Sequence, residues 1–280
     1  MRPRQWIKNS LLFAVLVFGG KLYDLQAVIN TILGAVLFSL FASAVYIIND
    51  IADRKADQAH PKKKDRPIAS GALSVRNAVI AASLLFVVCS ILSYLLAPKF
   101  LLYCLIYLCL NLLYSFFLKH IVILDVLILA SFYVIRLYAG STLVNVEYIS
   151  PWLVMTTTFL ALFLALGKRR AELVQTPVQE STQRKVLESY TKNFLDQLIV
   201  IALTLTILTY SLYTFSAPNL PDSNIMMLTI PFVIFGIFRY LYLIQQKDEG
   251  ETPEEIIISD LPLKLDLLLW GLSILFIFYS

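Results

Sequence analysis

Charge is scarce in this chain. Charged residues make up only 15% of its 280 residues, against about 25% in an average soluble domain. Histidine occurs twice, and His60 and His120 are too few for a typical zinc site and stand close to lysines, so both read as surface residues. Cysteine occurs three times. Cys89, Cys104 and Cys109 lie in apolar runs at no metal-binding spacing, and an odd number argues against a disulfide framework, so they read as core residues. No apolar segment is followed by a small-residue cleavage site of the signal-peptide kind, because the first apolar run is only the first of many. The N-terminus is therefore expected to be retained. A net charge of +4 forms no basic domain, and no nucleic-acid partner is expected.

Apolar residues fill the space that charge leaves, at 59% of the chain and a mean hydropathy of +0.75. A bilayer-crossing helix needs roughly 20 apolar residues. Nine such runs are legible, at about residues 5–22, 26–50, 74–97, 100–118, 121–142, 150–168, 193–215, 225–245 and 262–279. The expected fold is all-α, a polytopic membrane protein of nine transmembrane helices forming one domain over residues 1–280. Pro98, Pro151, Pro218, Pro221 and Pro262 punctuate helix ends. In the second run Gly34, Ala35, Ala42, Ser43 and Ala44 allow close helix approach.

Alternating crossings gather Lys8, Arg54, Lys55, Lys62, Lys63, Lys64, Arg66, Lys119, Lys168, Arg169, Arg170 and Lys192 on one side, and leave Lys21 and Lys99 on the other. By the positive-inside rule the basic side, with the N-terminus, faces the cytoplasm of a plasma (inner) membrane. Tyr148, Trp152 and Tyr213 fall near outer ends, where an aromatic belt would sit. Between Arg170 and Lys192, the residues Val186, Leu187 and Tyr190 share a face of a short amphipathic helix expected along the interface. The acidic stretch around Asp248, Glu251 and Glu255 reads as a solvated face. Membrane lipids are thus expected partners, and the sequence leaves a homo-oligomer open.

Chemistry concentrates where the second run meets the segment NDIADRKADQAHPKKKDR, residues 49–66. Carboxylates at the mouth of a membrane helix are expensive to hold there, which marks a functional site. Spacings of three and four place Asp50, Asp53 and Asp57 on one face of a continuing helix. Oxygen ligands of this kind suit magnesium, which keeps part of its water and bridges carboxylates to substrate phosphates. Lys62, Lys63, Lys64 and Arg66 follow, able to neutralise phosphate oxygens the metal does not reach.

Four further segments carry cations. LALGKRRAEL places Lys168 and Arg169 at the end of the sixth run with Glu172 one turn on, while Arg170 reads as a topological flank. Arg136 stands deep in the fifth run, with Asp125 eleven residues earlier on a similar face. An intramembrane arginine must meet a polar cavity or such an acid. Lys8 and Asn9 in RPRQWIKN, and Lys119 in YSFFLKH, can line the same cavity.

NDIADRKAD fits the N-D-x-x-D-x-x-x-D motif of the UbiA superfamily of intramembrane prenyltransferases, which the chain resembles. RPRQWIKN, YSFFLKH and GKRRAEL make it similar to the branch of decaprenyl-phosphate phosphoribosyltransferases. The resemblance runs from Arg2 to about Asp196 and implies a nine-helix bundle with a cytoplasmic-side polar cavity and Mg2+ on a bound diphosphate. It implies phosphoribosyl diphosphate as donor and a polyprenyl phosphate as acceptor. Asp50, Asp53 and Asp57 would be the catalytic, metal-holding residues, and Asn49 would orient them or a ribose hydroxyl. Lys8, Asn9, Lys62, Lys64, Arg66, Lys119, Arg136, Lys168, Arg169 and Glu172 would surround the substrates. The family's tyrosine and lysine before the fifth helix correspond to Tyr114 and Lys119. One departure is the missing second Asp-rich motif at the sixth helix, where Lys168 to Arg170 stand instead. Prenyl transfer to an aromatic or other small acceptor is the alternative reaction, and transport of a phosphorylated metabolite the alternative class.

Overall fold

Long apolar runs become helices because a lipid-facing backbone must bond within its own segment. In a computed structural model, whose described residues are 3–59, 64–146, 148–175, 185–218, 220, 224–246 and 253–280, the described residues form no strand and eight helices long and apolar enough to cross a membrane. These are α2 (Leu25–Ala52), α4 (Val75–Leu96), α5 (Pro98–Phe116), α6 (Leu124–Val144), α7 (Pro151–Gln175), α8 (Lys192–Ser216), the segment Ile225–Gln246 that includes α9 (Ile230–Gln246), and, after the short helix α10 (Pro253–Ser259), α11 (Leu261–Tyr279). The ninth expected span, the first in the chain, is shorter than the other eight. Its residues Pro3–Leu11 wind as a 3-10 helix that passes into α1 (Leu12–Phe18). Gly20, at φ +67°, then turns the chain, a conformation open to glycine without steric penalty.

Caps set several starts. Asp24, Ser74, Thr191 and Asp260 accept hydrogen bonds from Ala27 N, Asn77 N, Phe194 N and Leu263 N at the heads of α2, α4, α8 and α11. Each such cap is worth about 1 kcal/mol. Pro98 opens α5, where its missing N–H is harmless.

In packing, α2 contacts α4, α5 and α6, while α6 carries α1 on one flank and α7 on another. The next neighbours are α7 with α8 and α9 with α11. Gly34 lets α2 approach Leu143 of α6, and Gly140 lets α6 touch the backbone of Leu12 in α1. Phe38, Phe41, Tyr107 and Phe132 fill the core between α2, α5 and α6, and Phe163, Tyr240 and Ile244 fill that between α7 and α9. Outward faces stay apolar, as with Leu84, Leu95 and Leu268, which suits hydrocarbon as the solvent.

Three expectations change. Tyr213 is buried against Phe18, ring centroids 5.5 Å apart, and does not join an aromatic belt. Val186, Leu187 and Tyr190, around the 3-10 turn Lys185–Ser189, are buried in the protein core instead of lying along lipid. Cys89 and Cys104 are core residues as expected, but Cys109 is exposed.

Candidate active site

One end of the bundle collects nearly all the polar side chains the sequence singled out. α2 stops at Ala52, and Asp53 caps it at φ −87°, ψ 5° before the short helix α3 (Arg54–Ala59). The expected unbroken helix is therefore interrupted at Asp53, although neither proline nor glycine announces the break. Helical bonding bridges it, since Asp53 N donates to Asn49 O at 2.9 Å and Asp57 N to Asp53 O at 2.8 Å. Asp50, Asp53 and Asp57 therefore still share one cavity wall. Asn49 is oriented from α5: its Nδ2 donates to Asn111 Oδ1 and its Oδ1 accepts from Ser115 Oγ, both at 3.1 Å.

Arg66 returns to this wall. Its Nη1 lies 2.6 Å from Asp57 Oδ2 and 3.2 Å from Asp50 Oδ1. The expected phosphate contact is thus a carboxylate contact here, and it shows that this wall accepts a cation. Lys64 is exposed and off the cavity wall, and Lys62 and Lys63 lie outside the described residues.

Arg136 is 3% exposed. Its Nε donates to Asn9 Oδ1 at 2.8 Å, its Nη1 to Phe132 O at 2.7 Å and its Nη2 to Tyr107 OH at 3.4 Å, with the Tyr107 ring 4.9 Å away. Asp125 is not its partner. Asn9 sits behind the wall as an orienter, donating in turn to Ser39 Oγ at 2.8 Å.

Asp125 instead holds Arg169, Nε to Oδ2 at 2.6 Å, with both side chains fully buried. Arg169 also donates to Glu172 at 2.5 Å and to Tyr114 OH at 2.9 Å. Glu172 therefore acts on Arg169 from outside the cavity wall. Arg169 thus reaches the cavity wall already held by two carboxylates. Arg170 is not a loose flank either, for it is buried and ties α7 to Asp196 of α8 and to the carbonyl of Ile244 in α9, both at 2.7 Å.

The polar cavity holds about 320 Å³ and presents six cations, Lys8, Arg66, Lys119, Arg136, Lys168 and Arg169, facing Asp50, Asp53 and Asp57. A second, apolar cavity of about 380 Å³ runs between α1, α7, α8, α9 and α11. The two share Lys8, Tyr133 and Leu164. Tyr107, Asn111, Ser115 and Tyr133 were missed as wall residues. Asn111, a buried amide inside an apolar helix, was the signal that could have found that wall.

Among the described residues no three acidic, histidine or cysteine side chains converge on one point. Magnesium does not require that, since it uses one or two carboxylates together with substrate phosphates and water. The oxygen donors of Asp50, Asp53, Asp57 and Asn49, on a wall that already takes a guanidinium, fit such an ion.

The UbiA prenyltransferase family profile matches residues 10–257. The chain belongs to the UbiA prenyltransferase family. Decaprenyl-phosphate phosphoribosyltransferase of Mycobacterium tuberculosis is 36% identical over 96% of this chain and 90% of its own length. The protein of the same name in Corynebacterium glutamicum is 34% identical over 100% of this chain and 85% of its own. A UbiA homolog from Archaeoglobus fulgidus, solved bound to GPP and Mg2+, superposes with a TM-score of 0.75 at 19% identity, covering 100% of this chain and 98% of that one. That likeness establishes the UbiA fold for this chain.

Proposed function

We propose that the chain transfers 5-phosphoribose from 5-phosphoribosyl 1-diphosphate to a polyprenyl monophosphate, releasing diphosphate. The observation that carries this is the pair of adjacent cavities with shared wall residues, one lined by cations and acids and the other apolar. A water-soluble, multiply phosphorylated donor suits the first. The tail of a lipid phosphate suits the second, with its head group beside Lys8, which lines both.

Asp50, Asp53 and Asp57, with Asn49 orienting, would hold Mg2+, which supplies positive charge to the departing diphosphate. Lys119 would contact donor phosphates, joined by Arg66 once it leaves Asp50 and Asp57, and Lys64 with the neighbouring Lys62 would guide the donor in. Arg136, Lys8 and Lys168 receive the acceptor phosphate. An oxygen of that phosphate attacks ribose C1, the C1–O bond to diphosphate breaks, and the electron pair leaves with diphosphate. The acceptor is already ionised at neutral pH, so no protein base is required, and positioning and charge stabilisation lower the barrier.

The site end faces the cytoplasm, by the distribution of basic residues. The first segment counts as a ninth crossing. Nine residues at the 3-10 rise and seven at the α rise reach about 28 Å, close to the roughly 30 Å of hydrocarbon.

The test incubates purified protein in detergent with Mg2+, polyprenyl phosphate and labelled phosphoribosyl diphosphate, then extracts the lipid. Label in the lipid phase is expected. No label, together with prenylation of an aromatic acid from a prenyl diphosphate, would replace this reading with prenyl transfer. Asp50→Ala is expected to abolish turnover in a folded protein, and a near-normal rate would remove the carboxylate's role.

A further inference from the structure

We propose that Tyr190 is a positioning residue of this site, acting through Asp125 on Arg169, an inference that rests on the reaction just assigned. Tyr190 comes from the α7–α8 connection, not from a spanning helix. Its hydroxyl donates to Asp125 Oδ1 at 2.7 Å and accepts from the amide of Ile123 at 2.7 Å. The other oxygen of Asp125 receives Arg169 Nε at 2.6 Å, and Arg169 forms part of the polar cavity wall. Tyr190 is 3% exposed, and Asp125 and Arg169 are fully buried, so water does not substitute for any of these bonds.

The second observation is strain. Ile123 sits at φ +68°, ψ −44°, on the side of the map that β-branched residues avoid. Such a conformation persists only where its surroundings hold it. The bond from its amide to Tyr190 is one such hold, two residues ahead of Asp125. Burial and the adjoining Asp125 carboxylate push the Tyr190 phenol above its ordinary value, the direction expected of a buried donor to a carboxylate. Val186 and Leu187 anchor the turn that delivers the ring. A loop outside the membrane thus sets the direction of a guanidinium in the cavity.

The experiment compares Tyr190→Phe with the native enzyme, keeping the ring and removing one oxygen. Misplacement by about 1 Å can lower a rate about 100-fold, and a fall of 10- to 100-fold in kcat/KM is expected, with a raised KM for phosphoribosyl diphosphate. Simple loss of packing would lower the active fraction without changing KM. Adding Ile123→Gly to Tyr190→Phe relieves the backbone strain but returns no hydrogen bond to Asp125, so the loss in kcat/KM should largely remain. Unchanged kinetics in Tyr190→Phe, or full recovery on adding Ile123→Gly, overturns the proposal. If the native protein transfers no phosphoribosyl label, the reaction assignment fails separately. The relay is then decided by hydrogen exchange of the peptide spanning residues 121–127: faster exchange in Tyr190→Phe supports it, and an unchanged rate refutes it.

Discussion

Arg136 and Arg169 are both buried, yet their surroundings differ in charge. Arg169 is neutralised by Asp125 and Glu172, whereas all three hydrogen-bond acceptors of Arg136, from Asn9, Phe132 and Tyr107, are uncharged. A buried cation among neutral acceptors is poised for an anion from outside. Charge-assisted bonds contribute about 1.5–3 kcal/mol, so Arg136→Met should raise the KM for the lipid phosphate by about 10- to 150-fold. A KM within twofold of native would remove Arg136 from the acceptor site. Asp125→Asn replaces the charged acceptor of Arg169 Nε by a neutral one while Glu172 stays in place, and with a charge-assisted bond worth about 1.5–3 kcal/mol, a lowered midpoint of thermal unfolding should report the loss. Sequence spacing suggested pairing Arg136 with Asp125 along one helix. The partners come instead from other elements, Asn9 from the first segment and Arg169 from α7, and spacing within a helix carries no information about those neighbours.

At the scale of elements, the placement of the long helices was legible because an apolar run of sufficient length has few alternatives in lipid. The second run, read as 26–50, is Leu25–Ala52, and the last, read as 262–279, is Leu261–Tyr279. What escaped the sequence was set by packing between segments. The interruption at Asp53 has no breaker residue, and the burial of Val186 and Leu187 depends on a groove that exists only once α6 to α9 have assembled. The motif at Asn49 to Asp57 was readable as a site, but the seating of Arg66 on Asp50 and Asp57 joins residues across a loop. Helix contact also yields a test. A β-carbon at Gly140 would meet the Leu12 backbone, so Gly140→Val must push α1 from α6. Overpacking of this kind costs typically about 1–3 kcal/mol, and reduced thermal stability together with reduced transfer is the expected outcome.

For the whole molecule, sidedness and metal use are open to direct measurement. With native cysteines replaced, a membrane-impermeant maleimide should label Ser70→Cys, exposed at the cavity end, only in inverted vesicles, and Tyr148→Cys at the opposite end only in right-side-out ones. The reverse pattern would turn the molecule over. Removing divalent metal with a chelator should stop transfer, and adding back Mg2+ should restore it; activity that survives chelation would leave Asp50, Asp53 and Asp57 without their assigned ion. The two cavities share Lys8, Tyr133 and Leu164 in their walls, and on the proposed reading one reactant of the enzyme is drawn from water and the other from a two-dimensional sheet of oil. Its speed should therefore follow the mole fraction of acceptor among surrounding lipids, not moles per litre. Diluting the bilayer with inert phospholipid would slow the reaction while the demand for the soluble sugar stayed the same.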